Sequence, residues 1–227
     1  LRLICEREIE VENFIPEEYW TVDADLIKGK SSFRAQLTKY KDEKPQIKNE
    51  NEVNALIEEL KDKPAIVGDL RYSEKTIRPK PPFTTSQLQQ TAANRLGFTS
   101  RKTMQIAQQL YEGINIGAGR VGLITYMRTD SVRISQSAMD DVRAYIDTNF
   151  QKQKPEKPNW YYGQKNAQDA HEAVRPVDVF LSPDEVKPFL SRDMHRLYTL
   201  IWRRFVASQM APARFWDTTV TAQAGRT

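Results

Sequence analysis

Gly122 to Ser131 reads GLITYMRTDS, and five consecutive residues in it, Leu123, Ile124, Thr125, Tyr126 and Met127, are apolar, aromatic or β-branched. Such a run predicts a strand that leads into a polar turn. Alternate side chains of a strand share a face, so the Tyr126 phenol, the Arg128 guanidinium and the Asp130 carboxylate fall on one side. This trio suits attack on a phosphodiester. A phenol is only about one part in a thousand ionised at neutral pH, and a planar Arg fork helps it by binding two phosphate oxygens and the charge that builds on them. Exchanging one ester for another conserves the bond energy, so resealing would need no ATP. The same spacing also fits a Tyr126 that fills a core and a surface ion pair between Arg128 and Asp130.

Outward from this run, the charge distribution favours a polyanionic partner. The whole chain of 227 residues carries +4. From Pro79 to Arg133 alone, seven basic residues, Lys102 among them, stand against two acidic ones. A basic concentration around a phosphate-attacking tyrosine points to nucleic acid. Upstream, Pro79, Pro81 and Pro82 mark a stiff boundary. Thr84 and Gln87 then form a capping box for a helix with Leu88, Ala92 and Leu96 on one stripe, stopped by Gly97. Ser100 is the expected N-cap of a second helix with Met104, Ala107, Leu110 and Tyr111 inward. The pair has helix-turn-helix proportions. Gly117, Gly119 and Gly122 lack the Gly-Lys-Ser/Thr ending of a nucleotide loop, so 114–121 reads as a flexible connection, which argues against an ATPase or kinase.

Downstream, Ser135 is expected to cap a helix with Met139, Val142, Tyr145, Ile146 and Phe150 inward. Residues 151–166 interleave lysines with Trp160, Tyr161 and Tyr162, a pattern that suits base stacking or a packed surface loop. There are two histidines. His195 falls in a helix with Leu197, Tyr198, Ile201 and Phe205 and reads as structural. His171 precedes Arg175 closely enough to share a charge field, and as imidazolium it suits a phosphate or a proton transfer. No second histidine or cysteine lies at metal-binding spacing from His171. Ser182-Pro183-Asp184-Glu185 is a helix start, and Ser191 opens the last long helix.

Before Pro79 the pattern is different. Leu1 to Asn13 has the composition of a helix end. Residues 20–26 and 33–37 alternate as a hairpin about Lys28-Gly29-Lys30, residues 51–60 form an amphipathic helix, and 65–78 return to strand. With a last strand near 215–223, these predict a mixed α and β fold of more than one domain. The single cysteine, Cys5, excludes an internal disulfide or zinc cluster and reads as a small buried hydrophobe in a reducing compartment. No run approaches the length of a membrane span. The chain opens at Leu1 inside a helix-like stretch and without a signal peptide, which reads as a piece of a longer protein.

Three blocks, GLITYMRTDS, PPFTTSQLQQTAANRLGFTSRKTMQIAQQLYEG at 81–113 and AQDAHEAVRP at 167–176, together resemble the type IA DNA topoisomerases, in family order. Met127 resembles the bacterial topoisomerase I branch. The resemblance implies a mainly helical catalytic-tyrosine domain at 79–212 with a winged-helix-like portion. That domain would be inserted in a β-rich arch formed by 14–78 and 213–227, with 1–13 the remnant of a helix from a neighbouring domain. It implies a cytoplasmic, nucleoid-associated enzyme that relaxes negatively supercoiled DNA by cutting a single strand through a 5′-phosphotyrosyl intermediate. Tyr126, Arg128 and His171 would be catalytic, with Asp130, Ser131, Arg175 and Lys102 supporting or contacting DNA. The family's Mg²⁺ would be held by an acidic N-terminal domain that has no counterpart here, so this chain alone is expected to be inactive. A non-catalytic DNA gate module, or the matching part of a topoisomerase III or reverse gyrase, are the alternatives.

Overall fold

A computed structural model describes residues 1–61, 63–117, 119–162 and 171–225. The fold is mixed α and β. Its elements begin with α1 (Arg2–Glu12), β1 (Asp23–Lys28), β2 (Ser31–Gln36), α2 (Glu50–Leu60) and β3 (Ala65–Ile77). They continue through α3 (Thr85–Leu96), α4 (Ser100–Glu112), β4 (Ile114–Asn115), β5 (Arg120–Val121) and α5 (Gln136–Asn149). The last are α6 (Pro183–Val186), α7 (Arg192–Ser208) and β6 (Ala213–Ala224). Contacts divide the chain into one unit of Leu1–Glu74 with Trp216–Thr227 and another of Lys75–Phe215.

The first unit is thinly packed. β1 and β2 form the expected antiparallel hairpin, with Gly29 at the turn in the left-handed region that its missing Cβ permits (φ +62). Leu26 opposes Phe33, and Arg34 bonds the Asp25 carboxylate at 2.9 Å from the opposite strand. The hairpin's apolar face stays largely open, however, and the buried residues are Ile47, Val53 and Leu56, against α2. β3 pairs with β6 in a two-stranded ribbon. No residue of α1 is buried, so Cys5 is exposed and the expectation of a buried thiol is overturned.

The second unit holds the main core, built by α3, α4 and α7 packing on one another. Thr84 and Gln87 make the capping box, and Gly97 ends α3 in a left-handed turn (φ +70). The cap of α4 is Thr99, one residue earlier than expected, and its hydroxyl accepts from Lys102 N. Stripes of Leu88 and Ala92, Ile106 and Leu110, and Leu197, Ile201 and Phe205 meet in the interior. Each large apolar side chain removed from water there contributes about 2 kcal/mol. Ser135 caps α5 and Ser182 with Glu185 boxes α6. His195 is structural, its Nε2 lying 3.0 Å from the Pro183 carbonyl. Between 114 and 121 the connection includes a short ribbon of β4 and β5, with Ala118 outside the described residues.

The loop after α5 is packed down by an aromatic. Tyr161 packs on the core with its hydroxyl 2.8 Å from the Ser208 carbonyl, whereas Tyr162 is 86% exposed. Burial pushes the Tyr161 phenol up to about 12. Its neutral form is therefore favoured by folding, so its contribution is complete below about pH 10, the ordinary phenol value, and fades as pH rises toward 12. Tyr161→Phe is expected to lose less stability than the parent between pH 10 and 12. Urea midpoints measured across that range would check it, and parallel curves for the two proteins would contradict it.

Candidate active site

The run from Gly122 to Ser131 is extended but does not form a strand. Ile124 makes a single antiparallel bridge, to Pro176. Pro176 has no N–H to extend a ladder, and threonine hydroxyls take over the backbone partners. The Thr125 N–H donates to the Arg175 carbonyl at 2.9 Å, the Thr125 hydroxyl donates to the Ala173 carbonyl at 2.7 Å, and Arg175 N–H donates back to that hydroxyl at 3.0 Å. Further along, the Thr85 hydroxyl donates to the Met127 carbonyl at 2.7 Å and accepts from Thr129 N–H at 2.8 Å. Ser131 N–H then donates to the Thr129 hydroxyl, and Arg133 N–H to the Ser131 hydroxyl.

This pinning preserves the alternation that a strand would have given. Met127, Thr129 and Ser131 are buried, while Tyr126, Arg128 and Asp130 are exposed. The three expected side chains thus project outward from a backbone held at nearly every step, the rigidity a reacting group needs. Gly122 sets where the run meets α4. A Cβ there would stand 2.8 Å from the Tyr111 carbonyl oxygen, and Leu123 N–H donates to the Leu110 carbonyl at 2.8 Å. The close approach brings Tyr111, 41% exposed and not inward as its helical spacing suggested, edge-on against Tyr126 at 5.4 Å between ring centres.

The Tyr126 ring also lies 6.3 Å from the His171 ring. His171, Arg128 and Asp130 line an open depression of about 370 Å³ with Thr85, Ser86 and Thr129. The first turn of α3 borders it, adding the partial positive charge of a helix N-terminus to the charge of Arg128, with the Asp130 carboxylate beside them. Side chains from three distant stretches therefore converge on one polar hollow; Tyr126 is not among its lining residues and meets it through the neighbouring ring of His171. The hydroxyl run Thr84-Thr85-Ser86 is the signal that marks the third stretch, but its pairing with Thr129 is not readable locally.

Other expected residues sit elsewhere. Arg175 is 9% exposed. Its Nε and Nη2 bond the Glu172 carboxylate, Nη1 donates to the Pro176 carbonyl at 2.9 Å, and Nη2 reaches the Ser135 hydroxyl at 3.3 Å. It braces the return segment 171–176 from inside and does not line the depression. Lys102 pairs with Asp193 at 2.6 Å, tying α4 to α7, and it too is absent from the depression's lining. Ser131 is buried and holds backbone. Residues 167–170 of the AQDAHEAVRP block lie outside the described residues.

Among the described residues no three His, Cys, Asp or Glu side chains stand together as a metal-binding group. Asp130 is the one carboxylate in the depression's lining among the described residues. A divalent cation wants six or more oxygen ligands, so these side chains do not by themselves fit the Mg²⁺ that the resemblance implies. Also among the described residues, no helix is long and apolar enough to cross a membrane.

The chain is 56% identical to DNA topoisomerase 1 of Treponema pallidum (strain Nichols) over 225 residues, covering 99% of this chain and 31% of the relative. It is similar in structure to full-length topoisomerase I from Thermotoga maritima, with a TM-score of 0.77 and 37% identity over 98% of this chain and 34% of that one. It thus spans about a third of the length of the proteins it matches. The family model described as DNA topoisomerase covers residues 1–227. The exposed Tyr126 and Arg128 are accordingly carried by a chain that belongs to the DNA topoisomerase family.

Proposed function

We propose that this chain is the tyrosine-bearing part of a type IA topoisomerase that relaxes negatively supercoiled DNA. The observation that carries the reading is the outward display of Tyr126, Arg128 and Asp130 from a hydrogen-bonded backbone beside His171. The Tyr126 phenol oxygen bonds to phosphorus of a single strand as the phosphorus–O3′ bond breaks. The phenol gives up its proton and the departing 3′ oxygen takes one up. Arg128 holds the non-bridging oxygens, where charge grows in the transition state. His171 neighbours both the phenol and the phosphate position, and serves as proton carrier or as a second cation. Asp130, which shares the depression's lining with Arg128, orients Arg128 or the backbone when the strand is bound. Attack by the 3′ hydroxyl on the tyrosyl ester reverses the step, ester for ester, so no ATP is consumed.

The reading assigns 14–78 with 213–227 to an arch, 79–212 to the catalytic-tyrosine domain and 1–13 to a helix of a neighbouring domain. Mg²⁺ binding falls to an acidic domain outside this chain, and the protein works on DNA in the bacterial cytoplasm. Spanning a third of its relatives, and having no metal-ligand group of its own among the described residues, the chain alone should not cleave. The test is to incubate labelled single-stranded DNA and Mg²⁺ with this chain, with and without the remaining N-terminal portion of the parent protein. Covalent adduct is expected only in the mixture. Adduct formed by rigorously pure chain alone would refute the division of labour, and a mixture without adduct would refute the catalytic assignment.

A further inference from the structure

α3 carries a second groove. Ser86 borders the tyrosine depression, and Arg95 lies nine residues on, about two and a half turns of helix. Their side chains therefore leave opposite flanks of α3. On the Arg95 flank, α3 and α7 enclose a groove of about 480 Å³ that contains Lys80, Arg95, Arg196, Arg203 and Arg204 and, among the described residues, no carboxylate. Thr91 and Thr199 add hydroxyls to it. Along α7 the lining residues recur every three or four positions, so Arg196 and Arg203 stand on one stripe about 10 Å apart along the axis.

These cations are poorly compensated. Lys80, Arg95 and Arg203 have no ion-pair partner among the described residues. Arg196 is 3.6 Å from Asp193, whose carboxylate is also held by Lys102 at 2.6 Å. Arg204 is fixed over the ring of buried Phe83, 4.4 Å from its centre. Burial, and then the charge of Arg95, push the Arg204 guanidinium below its ordinary value. Crowding like charges in a partly dry groove opposes folding unless an anion relieves it.

We propose that this groove binds the phosphate backbone of a DNA strand, as a contact surface separate from the tyrosine depression. Arg196 and Arg203 stand about 10 Å apart along α7, which suits successive phosphates better than one small anion. Among the described residues the lining contains no aromatic ring on which a base could stack, so the groove takes hold of backbone without reading sequence. The proposal rests on the reading that the chain handles DNA and adds that it holds a strand segment at a second place.

The test is the salt dependence of binding by the intact chain, followed by fluorescence anisotropy of a short labelled oligonucleotide, in one arm single-stranded and in the other duplex. R95Q/R203Q changes two exposed side chains and leaves Arg204 on its ring. Loss of two phosphate contacts should lower the slope of log K against log salt by about 1.4 for single strands or about 1.8 for duplex. The arm that shows the loss identifies the strand form. K152Q/K187Q removes the same charge elsewhere on the unit and should leave the slope unchanged. An unchanged slope for R95Q/R203Q in both arms, or an equal loss in K152Q/K187Q, would overturn the proposal, as would the absence of binding at low salt. Circular dichroism confirms that each variant is folded. The readout needs no cleavage, so a missing adduct leaves the groove standing, and an adduct with unchanged slope removes the groove alone.

Discussion

Tyr126→Phe, in protein completed with its N-terminal portion, is expected to form no covalent adduct with single-stranded DNA while keeping its fold. The structure separates the two effects. The Tyr126 hydroxyl makes no hydrogen bond among the described residues, and the ring is 41% exposed. Phenylalanine keeps the edge-on contact with Tyr111 and the tilted contact with His171. Stability should therefore move by no more than about 0.5 kcal/mol, as for most surface changes. Removal of a covalent nucleophile, by contrast, costs on the order of 10⁶ in rate. Tyr111→Phe is the matched control, because it removes the same hydroxyl from the ring that lies edge-on against Tyr126. Denaturing gels of labelled DNA measure adduct, and thermal melts measure the fold. Adduct near the parent level in Tyr126→Phe would place the nucleophile elsewhere, and loss only in Tyr111→Phe would move it one ring away.

The features that were legible in sequence are those whose cause is local. Thr84 with Gln87, Gly97, Ser135 and Ser182 with Glu185 each fix a helix end through bonds three or four residues long, so reading the residues is nearly reading the structure. The shift by one residue to Thr99 is the scale of error when two capping residues adjoin. The alternation along 126–131 was legible too, but its mechanical cause was not. It depends on Thr85, Ala173 and Arg175, which lie some forty to fifty residues away. A local pattern cannot reveal that the expected ladder meets Pro176 and that hydroxyls replace it. The basic groove was half legible: Lys80 and Arg95 lie in the basic window, whereas Arg196, Arg203 and Arg204 join it only because α7 packs on α3. Cys5 and Tyr111 went the other way. Helical spacing or residue type suggested burial, but what covers a side chain is decided by neighbours that spacing does not name.

Arg175→Met is expected to cost the helical unit about 3 kcal/mol, since removing one partner of a largely buried ion pair strands the other charge. The pair's side chains are 11% and 20% exposed, and Glu172 has no other cation bonded to it among the described residues. Amide hydrogen exchange in α5 and α7 would measure the loss within this unit. Glu172→Gln added to Arg175→Met should recover part of it, because the stranded carboxylate is gone; additive losses would mean that Glu172 is not the reason. Arg175→Lys should rescue poorly, since one ammonium does not reproduce a fork that reaches Glu172, Ser135 and the Pro176 carbonyl together. Adduct yield should fall as well, although Arg175 does not line the depression, because the segment it braces carries His171 and supplies the carbonyls that hold Thr125. Salt dependence separates bracing from direct contact with DNA. A phosphate-binding Arg175 would lower the binding slope by about 0.7 to 0.9 when replaced, whereas a brace leaves the slope alone and lowers stability and adduct together.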